Sequence, residues 1–310
     1  MSRFICKLSL YLIPLLVLGT WAEIRARQIP NNYSLKAHLF SNFPASEIET
    51  LILGSSHSLK GINPARLSSR AFNYAHVSQR YDIDLLILKS SEFTRLNTVI
   101  LPVSLFSFYN LPGENPQLQR LRKYAVYTPL DVSAPAWDHF AIRNWTEVRG
   151  ALFNISDSPL CSIEANGWEP MSAAESEVDL TRTTSTAFES HTKYGTSIDA
   201  DALRSFEAIV DWCDSKNVRL VVVSIPVWKA YRDLAIGSIQ WKQTKSVLKR
   251  YRTIQFLNWM ENPPIGMSLE DFHDADHLSA AGANKLSIAL NDWIESEPRL
   301  NDSRLWREGL

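Results

Sequence analysis

The 310-residue chain has no charge excess: 32 lysines and arginines face 33 aspartates and glutamates, a formal net charge of -1. Without a basic surplus it has no field to gather a polyanion, which excludes nucleic acid as the expected partner. Cysteine is scarce too, with only three residues. Cys6 lies in an N-terminal apolar segment, so at most one internal pair, Cys161–Cys213, remains and a disulfide-built scaffold is excluded. Cys213 in "FEAIVDWCDSK" is equally explained as an inward helical position. No internal repeat is visible, and 45% hydrophobic content suits one sizeable globular domain with or without a large insertion.

Long apolar runs are absent except at the start. "MSRFICKLSLYLIPLLVLGTWAEIRARQ" sets Arg3 and Lys7 before an apolar run from Leu8 to Ala22. The expectation is an N-terminal membrane anchor or signal segment over 1–27, with an uncleaved transmembrane helix preferred to a cleaved signal peptide. A membrane-proximal linker follows over 28–47, with a short helix at "LKAHLFSNF". The chain would then be a single-pass protein of the inner membrane, its main domain on the extracytoplasmic side.

What remains, 48–310, alternates short buried strands with helices, the pattern of an open α/β sheet. Strands are expected at 50–54, 71–75, 99–103 and 217–226. Helices are expected at 79–92, 202–214, 246–260 and 280–294. The interval from about 110 to 197 is too long for a structureless loop and reads as a partly helical insertion. Tyr109, Tyr124, Tyr127, Trp137 and Trp228 default to packing, with a glycan or acyl groove as the alternative.

Two segments carry chemistry. In "LGSSHS" a buried strand stops at Gly54, which can turn sharply, and Ser56 follows at a helix start. Free backbone N–H groups there favour developing negative charge. A serine needs a base to become a nucleophile. In "EDFHDADHLSAAGANKLS" the spacing Asp274-x-x-His277 supplies an imidazole and a carboxylate to orient it. Asp276, next to His277, is expected to point away, and Asp271 is a weaker substitute. Gly282 and Ala283 allow close helix packing behind the site. His57 is expected behind the nucleophile rather than in the reaction. His273, Asp274, Asp276 and His277 also invite a metal reading, but no further cluster with ligand spacing supports it.

These two blocks resemble the SGNH (GDSL-like) hydrolase superfamily. They look closest to its membrane-anchored, cell-envelope branch, with proteins similar to DltD and the alginate O-acetylation proteins. The resemblance implies a flavodoxin-like three-layer α/β/α fold with a central parallel sheet. It implies a triad of Ser56, His277 and Asp274, no cofactor and no metal. It further implies O-acyl transfer to, or removal from, a cell-envelope polysaccharide. The partners would be an acyl donor, a glycan or ester substrate, the membrane and a membrane-bound acyltransferase. The superfamily's oxyanion glycine and asparagine have no direct match. Ser56, Ser104 and Asn73 are the nearest donors, with Ala75 to Ser78 offering backbone N–H groups. A non-catalytic scaffold or glycan-binding protein with a degenerate site is the alternative.

Overall fold

The computed structural model describes residues 2–109, 116–133, 136–153 and 162–297. Two compact units divide the chain. One comprises Met1–His38 with Asn115–Cys161, and the other Leu39–Glu114 with Ser162–Leu310. Cys161 lies outside the described residues, and with it the expected pairing to Cys213.

The first unit is helical: α1 (Ser2–Gln28), α5 (Pro116–Tyr127) and α6 (Trp145–Phe153) surround a small core of Ala26, Val126, Ala141 and Ala151. Between it and the second unit in sequence runs α2 (Asn32–Asn42). Glu23 accepts the backbone N–H groups of Ala141 (2.8 Å) and Ile142 (3.0 Å) and pairs with Arg27 at 2.8 Å. α1 carries Pro14 within it, and Glu23, Arg25 and Arg27 charge its last turns. The apolar run before them is shorter than the roughly 20 residues a span needs. No helix among the described residues is long and apolar enough to cross a membrane. The transmembrane helix, the single-pass inner-membrane placement, the signal-anchor and the membrane as partner are all overturned on that finding.

The second unit is a three-layer α/β/α fold around a five-stranded, wholly parallel sheet. Its strands are β1 (Thr50–Ile52), β2 (Ala71–Asn73), β3 (Thr98–Pro102), β4 (Arg219–Ser224) and β5 (Ile254–Asn258), in the order β2-β1-β3-β4-β5. The inner three bury every residue but Arg219, which is why they read as continuous apolar runs rather than alternating ones. Ile52, Ile100 and Val221 align in register on one face and pack with Leu286 and Leu290 of α11 (Ala280–Ser296). The other face is covered by α4 (Tyr81–Ser90) and α8 (Ala200–Ser215), which pack on each other.

β5 replaces part of the helix expected over 246–260. The helix there is α10 (Ile239–Leu248), preceded by α9 (Lys229–Gly237). As an edge strand β5 is only half-buried, so it lacked the solid apolar run that marks a central strand. Of the expected insertion, α5 and α6 belong to the first unit. α7 (Glu177–Thr192) belongs to the second.

In this strand order the chain reverses direction between β1 and β3, where open sheets hold ligands beyond the strand ends. A surface cavity of about 460 Å³ lies at the opposite end, by Thr50, Thr98 and Arg219, where β1, β3 and β4 begin.

Candidate active site

Two turns meet beyond the end of β1. Gly54 adopts a φ of +95°, and a Cβ there would sit 2.2 Å from Cγ of Pro102, so only glycine makes the turn. Its N–H donates to Oδ1 of Asp84 (2.8 Å) and its carbonyl accepts from the N–H of His76 (3.0 Å). Ser55 stands just before the short α3 (Ser56–Gly61), whose first residue is the half-buried Ser56.

The second turn is closed by the His273 N–H donating to the carbonyl of His277 (2.9 Å) and by a bridge between Phe272 and Leu278. Oδ1 of Asp274 accepts the backbone N–H groups of Asp276 (3.0 Å) and His277 (2.8 Å). This self-capping explains the Asp-x-x-His spacing, because the same carboxylate then reaches Nδ1 of His277, 3.0 Å from each oxygen. Nε2 of His277 lies 2.9 Å from Oγ of Ser56. Ser279 then caps α11, and Gly282 passes so close that a Cβ would meet the Asp271 carbonyl at 2.1 Å. Asp271 itself is buried, accepts from the N–H and hydroxyl of Ser268 and pairs with Lys285, away from His277.

Ser56, His277 and Asp274 are therefore brought together. Two of the oxyanion candidates, Asn73 and Ser104, are engaged elsewhere. The Asn73 amide donates to the carbonyls of Ser58 (2.8 Å) and Ile62 (2.9 Å), and its oxygen accepts from the N–H of Ala75 (3.0 Å). Its donors are spent on backbone, so Asn73 is corrected to a structural residue. The Ser104 hydroxyl is engaged by Nδ1 of His57 at 2.7 Å. Ala75 and His76 have committed their N–H groups. The Ser56 N–H, at the first turn of α3, is a donor that a helix leaves without an internal partner.

Asp276 does not point away. It is buried and its Oδ2 lies 3.2 Å from Nε2 of His57, and 3.6 Å from both Nδ1 of His277 and Nε2 of His191 on α7. His191 bonds the Tyr231 hydroxyl through Nδ1 at 2.6 Å. His57, Asp276 and His277 form a His-Asp-His cluster whose ligand atoms are close enough for a metal ion. Sequence reasoning missed both: His191 lies in a polar Ser/Thr-rich stretch, now α7, and Tyr231 on α9 stands in no recognised motif.

Burial sets the charges. It holds His57 below the ordinary histidine range and His191 down to about 4, in each case against the pull of Asp276. Burial opposes ionisation of Asp276 as well, but hydrogen-bond donation from His57 and charge on the nearby imidazoles outweigh it, and the carboxyl stays well below its usual range. The hydrogen bond donated by His57 is what sustains this anion against its burial. Asp274 is likewise lowered: the hydrogen bond and charge of His277 overcome its desolvation. Of the aromatic residues offered for a groove, Tyr109, Tyr124 and Trp228 are buried; Trp228 packs edge-on against Phe272.

A hydroxyl, an imidazole and two carboxylates in this order form a plausible catalytic cluster, able to activate an oxygen nucleophile by proton transfer. No protein-family model matches the chain, and no curated protein matches it. Among solved structures it is similar to a protein provisionally described as a platelet activating factor from Streptococcus pneumonia. The two share 15% identity over 91% of this chain and 98% of the other, with a TM-score of 0.42. A likeness at that level carries no argument about activity. The expected membership of a membrane-anchored, cell-envelope branch is corrected by the missing span and finds no family match.

Proposed function

We propose that the chain is a serine-dependent acyl-ester enzyme, an esterase or O-acyltransferase. The observation that supports it is the hydrogen-bonded chain from Ser56 through His277 to Asp274. In this reading His277 Nε2 takes the Ser56 proton as Oγ bonds to an ester carbonyl carbon. Asp274 holds the Nδ1 proton and steadies the imidazolium. The Ser56 N–H donates to the oxyanion. Collapse breaks the bond to the leaving alcohol, which receives the proton from His277, and leaves an acyl-serine. Water or a sugar hydroxyl then loses its proton to His277 and attacks the acyl carbon, freeing Ser56. Acetyl is the acyl group of the reading, and a polysaccharide hydroxyl is its acceptor when the enzyme acts as a transferase.

Fluorophosphonate labelling tests it. The wild type should be labelled covalently at Ser56, and Ser56→Ala should not. Incubation with p-nitrophenyl acetate, with and without a polysaccharide acceptor, separates hydrolysis from transfer. A folded wild type that neither labels nor turns over an acetyl ester would overturn the reading in favour of a non-catalytic binding protein.

A further inference from the structure

We infer that Asp276 is a second positioning carboxylate for His277, held in place by a buried Ser104–His57 relay and stabilising the positive charge that His277 carries during proton transfer. This rests on the serine-enzyme reading of the same site.

The geometry is a second hydroxyl–imidazole–carboxylate chain behind the first. Oγ of Ser104 meets His57 Nδ1 at 2.7 Å, and His57 Nε2 meets Oδ2 of Asp276 at 3.2 Å. All three are buried, so Ser104 is no competing nucleophile. The hydroxyl of Ser104 donates to Nδ1, which leaves Nε2 carrying the proton, and that N–H donates to Asp276. A neutral donor of this kind steadies a buried carboxylate without neutralising it. The anion is left to act on the one imidazole nearby that changes charge in the reaction.

The groups facing His277 from each element are few. They are Asp274 and Asp276 on its own turn, Ser56 and His57 on α3, and His191 on α7 with Tyr231 of α9 behind it. Two of these are anions, and they approach Nδ1 at 3.0 and 3.6 Å. When His277 accepts the Ser56 proton, Asp274 shares the Nδ1 proton. Asp276 stays ionised and takes up no proton. Its contribution is electrostatic.

The test measures the second-order rate of fluorophosphonate labelling of Ser56, per folded molecule, in wild type, Asp276→Asn and Ser104→Ala. Removing the Asp276 charge should lower that rate about 10-fold or more, because the positive charge formed on His277 loses an anion beside it. Ser104→Ala keeps the charge and should lower the rate less. A merely structural role would slow both variants only through their folded fraction, leaving the rate per folded molecule at the wild-type value, and that result would overturn the proposal. Should Asp276→Asn not fold, imidazole ¹⁵N spectra of the wild type decide. A neutral His57 protonated only on Nε2 supports the relay, and a proton on Nδ1 refutes it. Absence of any wild-type labelling would instead count against the serine-enzyme reading itself.

Discussion

Replacing Asp84 by asparagine should destabilise the protein in acid and stabilise it above neutrality, with the two stability curves crossing. Asp84 is fully buried on α4 beneath the Gly54 turn. Its Oδ1 accepts from the Gly54 N–H at 2.8 Å and from the Gln79 amide at 2.6 Å, and its Oδ2 has no partner. Burial pushes the carboxyl up from 3.8 to about 7 against those two donors. Between these values the folded protein keeps a proton that the unfolded chain has released, so stability falls as pH rises through the window and levels off above it. About three pH units at about 1.4 kcal/mol each give a loss on the order of 4 kcal/mol. Asparagine does not titrate, and its oxygen accepts the same two donors. Its amide nitrogen presents two N–H groups where the protonated carboxyl presents one O–H, and the extra buried donor without a partner costs about 1–3 kcal/mol. The variant should therefore be less stable by that amount near pH 4, equal near about pH 5–6, and more stable above pH 7. Urea unfolding at intervals from pH 4 to 8.5 reads the difference. A gap between the two proteins that does not change with pH would refute the argument.

Two further substitutions probe the turns that carry the site. Gly54→Ala combines a strained positive φ with overlap on the Pro102 ring, together costing about 2–6 kcal/mol. Denaturant unfolding should show that loss, and a variant as stable as wild type would mean that the turn is not held by glycine. Asp274→Asn keeps an oxygen for the two backbone N–H groups of its turn but loses the carboxylate at His277 Nδ1. Ester turnover should fall about 10³–10⁴-fold with KM little changed. A loss under 10-fold in the folded variant would remove Asp274 from the proposed role.

How much of this was legible depended on the span of chain each feature needs. The Gly54 turn and Asp274-x-x-His277 are local: one is a φ that glycine permits, the other a carboxylate capping its own turn. The central strands announced themselves because both their faces are buried. β5 did not, because an edge strand with one buried face has too little apolar signal to outweigh the helical pattern of its neighbourhood. The bonding of two oxyanion candidates was hidden for a similar reason. Asn73 and Ser104 lie at suitable strand ends, but their partners, the carbonyls of Ser58 and Ile62 and the ring of His57, are set by packing.

Asp276 shows the limit most clearly. Adjacency to His277 suggested divergence, yet the tight turn over 273–277 folds back on itself, and Asp274 and Asp276 both reach the imidazole that follows them. Once the turn brings them there, burial makes the two carboxylates unequal. The side chain of Asp274 is 29% exposed and that of Asp276 only 8%. Water and salt screen the first, whereas the second acts through a medium of lower polarity. Such an anion would be costly alone. Its donor, His57, is 219 residues away in the chain, and His57 in turn leans on Ser104. The carboxylate nearest the base in sequence thus owes its place to residues that only the folded sheet brings beside it.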